Sequence, residues 1–476
     1  MNAFWLPPGC GITPAIREER VERGDQSLII RWPELSPEDI TRLGAFLRKQ
    51  QALVLKKRSV ASIVDTLDAV AAQWLERDRA EYQRAVAAIA TVTGFSEAMV
   101  SHAIELEQVS SRRSDLLAAL DNELGDHRVL DGFIPSPKGR SHAIGPAVIG
   151  GIFSANIPAL PHLTVMRSLL VKSACLGRVS RGEPLYLPLY VESLAAVDPE
   201  LASCLAVIYF DSNQNEHQRA FMEAIDHLIA YGGDETIASL QSSIPRNLGA
   251  TWHGHRMGFA YLTRGALADG ESLKDLAEAI AYDFTVFDQH ACLAPQACFV
   301  EEGGQVRAED FAKELVRAME LWMERLPPRK LTLNEAAALR AAHDDARMAA
   351  MGSESSRILT PANQLQGAVV LSPLETFTPS PLDRFARVVP VQDSEALLRC
   401  LEPTRNFLQC AALASGPNEN TDTLKERLAA LGVTRFCPPG SMGTPSMVWH
   451  HDGRPCLADL VRWCDEETIP PGASEN

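Results

Sequence analysis

Short apolar runs alternate with helical stretches through the middle of this chain, from about Pro146 to Leu262. In chain order the strand-like and helical runs cover 147–153, 161–172, 176–180, 204–210, 217–225 and 227–231. Strands that are apolar on both faces are typical of parallel sheets with helices on either side, so the alternation predicts a Rossmann-like α/β layer. Neither a Gly-x-Gly-x-x-Gly fingerprint nor a P-loop occurs. The pattern therefore leaves nucleotide binding and a plain α/β core equally open.

The rest of the chain divides around this alternating region. The predicted domains are an amino-terminal segment (1–60), a helical layer joined to the alternating region (61–266), a second α/β domain (267–440) and a carboxy-terminal tail (441–476). Within the helical layer, one buried face is indicated by apolar residues at helical spacing, namely Ile63, Leu67, Val70, Ala71 and Trp74. A chain of 476 residues with 46% hydrophobic composition can fill two or three cores.

Charge and hydropathy exclude some classes of protein. A formal net charge of -16 argues against binding nucleic acid, because a phosphate backbone needs a concentrated excess of Lys and Arg. The first thirty residues lack the basic end and apolar segment of a secretory signal, and no run of eighteen apolar residues follows. We expect a soluble, cytoplasmic protein without membrane insertion.

The ten cysteines are scattered, which does not fit a disulfide framework in a chain of this length. Cys175, Cys204, Cys400 and Cys410 lie among apolar residues and are predicted to be small core residues. No Cys-x-x-Cys pair, His-Glu-x-x-His or calcium-loop spacing occurs, so no metal is expected.

Cys292 is the exception, because it lies in the polar turn Asp288–Gln296. An amphipathic helix over 271–283 precedes the turn, and the apolar run 298–300, with Cys298 assigned to the core, follows it. A thiol at such a junction can meet a ligand while its backbone N–H binds an oxyanion, so we predict a nucleophile; the alternative is another buried thiol.

His290 and its neighbours could serve the thiol or the turn. His290 could lower the pKa of the thiol or protonate an oxygen of the substrate, but a surface histidine or one that hydrogen-bonds within the loop is the preferred interpretation. Asp288 and Gln289 are expected to support the turn.

Several motifs, taken together, bring a family resemblance. They are Ser154-Ala-Asn-Ile-Pro158, Arg167-Ser-Leu-Leu-Val-Lys172, Gly232-Gly-Asp234, the Cys292 turn, Trp449-His-His-Asp-Gly-Arg-Pro455 and Leu460-Val-Arg-Trp463. In this order they resemble the LuxC family, the acyl-CoA or acyl-protein thioester reductases of the aldehyde dehydrogenase superfamily. The resemblance runs from about residue 60 to the end. It implies an aldehyde-dehydrogenase-like α/β fold, with a Rossmann-type cofactor domain and an α/β catalytic domain carrying the nucleophilic cysteine.

The resemblance also implies roles for individual residues. Cys292 becomes the nucleophile that accepts the acyl group, and Asn156 becomes an oxyanion donor that works with the Cys292 backbone N–H. Ser154 would assist through its hydroxyl. The alternative for Asn156 is a turn asparagine that satisfies local backbone groups.

The expected cofactor site lies at two strand ends. Its predicted residues are Arg178, Ser180, Arg181, Gly232 and Gly233. The glycines follow a strand and precede a helix that Asp234 could cap, where backbone N–H groups favour a pyrophosphate. The two arginines suit the 2′-phosphate of NADPH, with NADH also possible. The alternatives are an ordinary strand-to-helix turn at the two glycines and a solvated charge pair at the two arginines.

One departure from the hydrolytic aldehyde dehydrogenases bears on the reaction. Those enzymes carry a glutamate that activates water, whereas the corresponding stretch 250–259 has no carboxylate. Its absence favours reduction of the acyl-enzyme over hydrolysis. His253 and His255 lie there instead and are assigned to a strand-edge loop, although a pH-sensitive site is a second interpretation.

The tail has two interpretations. Trp449 and Trp463 are expected to anchor it by packing, whereas its histidines and Arg454 could instead reach the cofactor half.

The sequence therefore predicts NADPH-dependent reduction of a long-chain acyl-CoA or acyl-protein thioester to the aldehyde through an acyl-cysteine intermediate. A CoA-acylating aldehyde dehydrogenase that works oxidatively and a non-catalytic subunit of an acyl-activating complex remain as alternatives. Expected partners are an acyl-protein synthetase or acyltransferase and further copies of the chain, as a dimer or tetramer.

Overall fold

The computed structural model describes residues 1–24, 26–137, 139–267, 270–353, 355–361 and 365–467. The chain forms two compact units. The first contains residues 1–93, 103–254 and 446–476, and the second contains residues 94–102 and 255–445. The amino-terminal segment and the tail therefore belong to the same unit as the alternating region.

The elements of the first half of the chain begin with a hairpin and a helical layer. In order they are β1 (Ala15–Arg23), β2 (Gln26–Glu34), α1 (Pro37–Leu53), α2 (Val60–Leu75), α3 (Ala80–Thr93), α4 (Glu97–Val109), α5 (Arg113–Leu124), β3 (Ile134–Ser136), β4 (Gly139–Ile144), β5 (Val148–Ile152), α6 (Pro161–Leu170), β6 (Ala174–Arg178), α7 (Tyr186–Val197), α8 (Pro199–Ala202), β7 (Leu205–Ile208), α9 (Asn215–Ala224), β8 (His227–Tyr231), α10 (Asp234–Ser243) and β9 (Gly249–His253).

The second half continues the alternation of strands and helices. Its elements are β10 (Met257–Leu262), α11 (Gly270–Thr285), β11 (Pro295–Glu301), α12 (Ala308–Arg325), α13 (Leu333–Gly352), β12 (Arg357–Leu359), β13 (Val369–Leu371), β14 (Ala386–Val391), α14 (Ser394–Leu401), β15 (Leu408–Ala414), α15 (Asp422–Ala430), β16 (Arg435–Cys437) and β17 (Arg462–Glu467).

The first unit is built on a parallel sheet of five strands in the order β7-β6-β5-β8-β9. Every residue of β5 and β7 is buried, as expected for strands covered on both faces. This sheet confirms the prediction from the alternating apolar runs. A Cβ on Gly150 of β5 would lie 2.4 Å from Ile225 Cδ1, so a larger residue here would force the Ile225 side chain to move.

The helical layer is also confirmed. The predicted apolar face of α2 is buried, and Trp74 packs against Tyr82 and Tyr186 with ring centroids 6.3 and 5.2 Å apart. Aromatic pairs at such distances add to the free energy gained by burying their area. The helical layer thus forms a hydrophobic core where it packs against the helices that cover the sheet.

Two smaller sheets complete the first unit. β1 and β2 pair antiparallel, and β17 of the tail pairs antiparallel with β4 in a three-stranded sheet ordered β17-β4-β3. Trp463 on β17 is 43% exposed, so its role in anchoring the tail by packing stays a prediction. Strand pairing with β4 fixes this end of the tail.

The second unit is also an α/β structure, but its bounds differ from the predicted 267–440, since it includes 94–102 and β10 lies in its sheet. Its seven-stranded sheet has the order β12-β13-β14-β11-β10-β15-β16, and among the described strands only β12 runs antiparallel to its neighbour. Phe259, Phe299 and Phe377 form the aromatic centre of its core, with ring centroids 5.7 to 6.1 Å apart. The helix predicted over 271–283 is α11, and it leads directly into the Cys292 turn.

Candidate active site

Cys292 lies in the turn between α11 and β11, where the backbone is strained. Phe287, Asp288 and Gln289 have φ values of 55°, 50° and 66°, in the left-handed region that residues other than glycine rarely adopt. Such conformations persist where the surroundings hold them in place. The Cys292 side chain is half-buried.

A buried ion pair between Asp288 and Arg384 fixes this turn. Asp288 accepts a hydrogen bond from Arg384, and neither side chain has any solvent exposure. Arg384 belongs to a second left-handed turn, Leu382-Asp383-Arg384, and the Asp383 N–H donates to the Asp288 carbonyl at 3.0 Å. Two strained turns are thus joined by one ion pair and one backbone hydrogen bond.

The Gln289 side chain also fixes the loop, through hydrogen bonds to backbone carbonyls. Its amide donates to the Pro295 carbonyl at 3.1 Å and to the Phe385 carbonyl at 3.3 Å. Within the loop, the Ala294 N–H donates to the Ala291 carbonyl at 3.0 Å. The supporting roles predicted for Asp288 and Gln289 are confirmed by these contacts.

His290 takes part in the same network. Its Nε2 lies 3.2 Å from Asp383 Oδ1, and Asp383 also accepts from Arg329 Nε at 2.6 Å. Burial alone would raise the pKa of Asp383, but the hydrogen bonds from His290 and Arg329 outweigh it and hold that pKa below its usual value. His290 therefore hydrogen-bonds to the second left-handed turn, outside its own loop.

Other cysteines in the described chain behave as core residues. Cys175, Cys204, Cys298, Cys400 and Cys410 are all buried, as predicted. Burial raises the pKa of Cys400 to about 11 and those of Cys175 and Cys204 to about 12. Thiols with such pKa values stay protonated at neutral pH and are poor nucleophiles.

The Asn156 loop follows β5 in the first unit. Ser154 Oγ donates a hydrogen bond to Asn156 Oδ1, and both residues are half-buried. Because the amide oxygen faces Ser154, the amide NH₂ is directed to the other side of the carboxamide. Ser154 therefore orients the group that the resemblance assigns to an oxyanion.

The predicted cofactor residues lie at the same edge of the sheet as this loop, since they follow the carboxyl ends of β6 and β8. Ligands of open α/β sheets bind at this edge. Arg178 ends β6 and donates from Nε and Nη2 to the Phe210 carbonyl at 3.0 and 2.9 Å. Arg181 forms an ion pair with Glu19 at 2.8 Å, and Ser180 Oγ accepts from the Gly182 N–H at 3.4 Å.

The structure corrects one detail of the glycine turn. Gly233, not Asp234, is the N-cap of α10, and Asp234 is the first helical residue. A Cβ on Gly233 would meet nothing within 4 Å, so space is open beside this helix end. The Gly232 N–H donates to the His253 carbonyl at 3.1 Å and so links the ends of β8 and β9.

The sequence did not predict a buried polar pair at this edge. His253 is the last residue of β9, not part of a loop, and its Nδ1 lies 2.7 Å from Asp452 Oδ2. The two side chains are only 8% and 7% exposed. Their separation of 199 residues along the chain explains why no local pattern indicated the pair.

Aromatic rings stack on both sides of His253. The His253 ring centroid lies 4.5 Å from that of Tyr231 and 4.1 Å from that of His451, with interplanar angles of 20° and 25°. Trp449 stacks on His451 of the same tail at 4.8 Å. A cavity of about 20 Å³ next to this stack is lined by Arg167, Thr251 and Cys456, among others.

The chain has the fold of the aldehyde dehydrogenases. An NAD-dependent aldehyde dehydrogenase from Sinorhizobium meliloti superposes with a TM-score of 0.72 at 13% identity, covering 99% of this chain and 95% of that one. An NADP-dependent glyceraldehyde-3-phosphate dehydrogenase from Bacillus halodurans C-125, complexed with NADP, gives 0.70 at 15% identity, covering 97% and 96%.

Sequence comparison then defines the family. The chain belongs to the LuxC family, because the family model described as Acyl-CoA reductase (LuxC) matches residues 55–463. It is therefore an oxidoreductase acting on acyl or aldehyde groups, and the resemblance seen in its motifs is confirmed. The long-chain acyl-protein thioester reductase of Vibrio harveyi is 22% identical over 420 residues, which cover 87% of this chain and 84% of that protein. That of Aliivibrio fischeri is 24% identical over 413 residues, covering 85% and 82%.

Among the residues that the structure describes, no helix is both long and apolar enough to cross a bilayer.

Proposed function

We propose that this chain reduces an acyl thioester to the aldehyde through an acyl-enzyme intermediate on Cys292. The observation that carries the proposal is a half-buried thiol on a turn fixed by the buried Asp288–Arg384 pair, in a chain of the LuxC family. A nucleophile on a rigid support loses little conformational freedom when it reacts. The relatives named long-chain acyl-protein thioester reductases support a long acyl chain, carried on CoA or on a protein.

The reaction begins when the Cys292 thiolate attacks the acyl carbonyl and expels the carrier thiol. Asn156 donates a hydrogen bond to the negative oxygen, with its carboxamide oriented by Ser154. A reduced nicotinamide held by Gly232, Gly233, Arg178 and Arg181 would supply the hydride for the acyl carbon. When the carbonyl re-forms, Cys292 leaves as a thiolate, the aldehyde departs and the enzyme is regenerated.

A nicotinamide dinucleotide fits the carboxyl edge of the five-stranded sheet. Gly233 leaves open space at the start of α10, where backbone N–H groups can meet a pyrophosphate. Asp234 and Glu235 in the first turn oppose that charge in part, so the proposed contact is with the backbone. The fold neighbour that was solved with NADP supports the same class of cofactor.

We propose NADPH as the preferred form. Arg178 and Arg181 lie at the end of β6, and both carry partners in the structure. Arg181 is the more exposed, and its ion pair with Glu19 can be exchanged for a 2′-phosphate at little cost because surface ion pairs are weak. Arg178 would contribute charge while its guanidinium stays bound to Phe210.

Reduction is proposed in preference to hydrolysis because the stretch 250–259 carries no carboxylate to activate water. An acyl-enzyme without such a base persists until hydride or a thiol reaches it. An acyl-activating partner protein and self-association into a dimer or tetramer remain part of the proposal.

Mass spectrometry after incubation with tetradecanoyl-CoA tests the proposal. We expect an acyl adduct on the Cys292 peptide that disappears, with formation of tetradecanal, when NADPH is added. Cys292→Ala should abolish both signals, whereas Cys10→Ser, at another half-buried free cysteine, should change neither.

Three other outcomes would contradict parts of this account. Unchanged turnover in Cys292→Ala would remove the nucleophile. Aldehyde oxidation that far exceeds thioester reduction would favour the CoA-acylating direction. No adduct with either CoA or protein-bound acyl donors would favour a non-catalytic subunit.

A further inference from the structure

A cavity in the first unit is enclosed by helix α6, strands β8 and β9 and the carboxy-terminal tail. Arg167 of α6, Ile229 of β8 and Thr251 of β9 line it, together with residues from 451–460 of the tail. All of the lining residues belong to the first unit. The volume of about 20 Å³ has room for one water molecule or for an ion of similar size.

Arg167 brings a buried positive charge to this cavity. It is 9% exposed, and its guanidinium forms no hydrogen bond or ion pair among the residues that the structure describes. A buried charge costs free energy unless it is paired, and buried N–H groups cost free energy unless they are hydrogen-bonded. The Arg167 side chain therefore needs a partner that the described protein residues do not supply.

Three carboxylates near the cavity already have partners of their own. Asp452 Oδ2 lies 2.7 Å from His253 Nδ1, and Asp459 accepts from Arg454 Nε at 2.9 Å. Glu123 accepts from three backbone N–H groups of the tail, at 2.6 to 2.9 Å. Each negative charge is thus balanced by a cation or by N–H donors, and none of the three carboxylates forms an ion pair with the buried guanidinium.

Glu107 is the remaining acid that acts on Arg167, but it is a weak counter-charge. Burial raises the pKa of Glu107 to about 7, so this carboxyl is only partly ionised at neutral pH, and no ion pair joins it to Arg167. Burial acts to lower the pKa of Arg167, but Cys456, Tyr231 and the two glutamates outweigh it and raise that pKa. The guanidinium therefore stays charged.

A small anion suits this cavity better than water does. Water satisfies N–H groups but leaves the charge unpaired, whereas an anion satisfies both. Ile229, Pro455 and Leu460 make part of the wall apolar. A halide is little larger than water and is weakly hydrated, while phosphate and sulfate need more room and more donors than the cavity provides.

We propose that this cavity binds a chloride ion, held by Arg167 between α6 and the tail. The proposal goes beyond the function proposed for Cys292 and does not depend on it. Arg167 belongs to α6, and residues from 451–460 form the opposite wall, so the bound ion adds to the hydrogen bonds from Glu123 that fasten the tail to the first unit.

The unfolding midpoint of the full chain in chloride and in gluconate tests the proposal. Chloride is varied from about 1 to 300 mM, and sodium gluconate keeps the ionic strength constant because gluconate is too large for the cavity. A ligand that binds only the folded state raises the midpoint as its concentration rises. We expect the wild-type midpoint to rise by several degrees, and the chlorine NMR line to broaden in the presence of the wild-type protein.

Two variants of Arg167 separate the charge from its geometry. Arg167→Met should abolish the dependence of the midpoint on chloride, and its midpoint in gluconate should equal or exceed that of wild type because an unpaired buried charge is gone. Arg167→Lys keeps the charge but lacks the planar fork, so it should need about tenfold more chloride for half of the effect. Arg77→Gln, at an exposed ion pair with Glu105 in the same unit, is the matched control and should behave as wild type.

Two results would overturn the proposal. An equal rise with chloride in wild type and in Arg167→Met would be a general salt effect. No rise and no line broadening in wild type would mean that water fills the cavity. If Arg167→Met does not fold, Arg167→Lys decides, and an unchanged half-saturating chloride concentration in that variant would also overturn the proposal. None of these measurements involves turnover, so failure of the chloride site leaves the proposed thioester reduction untouched.

Discussion

Burying the Asp288–Arg384 pair next to the Cys292 turn costs free energy. Both side chains are fully buried, and the Arg384 Nη1 and Nη2 atoms lack hydrogen-bond partners among the described residues. Burying an ion pair gains little net stability, but removing one partner leaves an uncompensated charge. The pair is therefore better understood as fixing the turn than as stabilising the fold.

We predict that Arg384→Met lowers the free energy of unfolding by about 3 to 5 kcal/mol, because Asp288 is left charged and buried. The double variant Asp288→Asn with Arg384→Met should regain much of that loss. Urea unfolding measures both. Arg405→Ala removes an exposed ion pair with Glu402 and should cost less than about 1 kcal/mol. A loss in Arg384→Met no larger than in this control would contradict the prediction.

Arg181 allows a test of cofactor preference that disturbs the fold little, because its side chain is 60% exposed. Arg181→Gln should lower kcat/KM for NADPH about tenfold, the value of one charge-assisted hydrogen bond to a phosphate, and leave kcat/KM for NADH unchanged. Steady-state kinetics with each cofactor measures this. Equal effects on the two cofactors would rule out a 2′-phosphate contact.

The sequence predicted the positions of some functional side chains and missed those of others. Cys292 stood out because its polar turn is continuous in sequence, and the core cysteines because their neighbours are apolar. His253 was assigned to a loop because its partner Asp452 is 199 residues away. Contacts formed by tertiary structure alone leave no local signal.

Helix α4 carries a carboxyl group whose burial affects stability. Burial raises the pKa of Glu107 to about 7, and its side chain is 17% exposed. A folded pKa above the ordinary value favours the folded state at low pH, and this contribution is lost as pH rises from about 4.5 through 7.

Glu107→Gln should therefore become more stable relative to wild type as the pH rises. Between pH 5 and pH 8 the difference in unfolding free energy should grow by about 2 to 3 kcal/mol. Denaturant unfolding at several pH values measures it. Burial lowers the pKa of the neighbouring His162 to about 4, which acts in the opposite direction but is common to both proteins. Glu105→Gln on the same helix, with a 41% exposed side chain, serves as the control, and parallel curves for both variants would contradict the prediction.

Most elements were predictable because their burial is periodic. The strands of the five-stranded sheet are continuous apolar runs in the sequence. Helices α2, α11 and α12 show the apolar spacing of amphipathic helices. Two details were not predicted, the cap at the start of α10 and the strand pairing of the tail. Gly233 caps α10 through its backbone in place of the Asp234 side chain, and the pairing of β17 with β4 depends on segments far apart in sequence.

The first unit is discontinuous, since its tail returns from the far end of the chain to add β17, the Asp452 turn and the contacts to Glu123. A protein cut after residue 445 should lose hydrogen-exchange protection in β4, β9 and α5, with strands β10 and β11 of the second unit little changed. Exchange followed by mass spectrometry measures this. Trp463→Ser, at an exposed position of β17, is the control and should leave the protection of β4 and β9 as it is.

This arrangement also sets an order of events during synthesis. A ribosome makes the whole second unit before it makes residues 446–467, while the first unit, although begun earlier, waits for them to gain its last strand and Asp452. Domains ordinarily fold one after another from the amino terminus. Here the earlier unit is finished last, so a chain released before its tail is made would carry the Cys292 turn without the partner of His253.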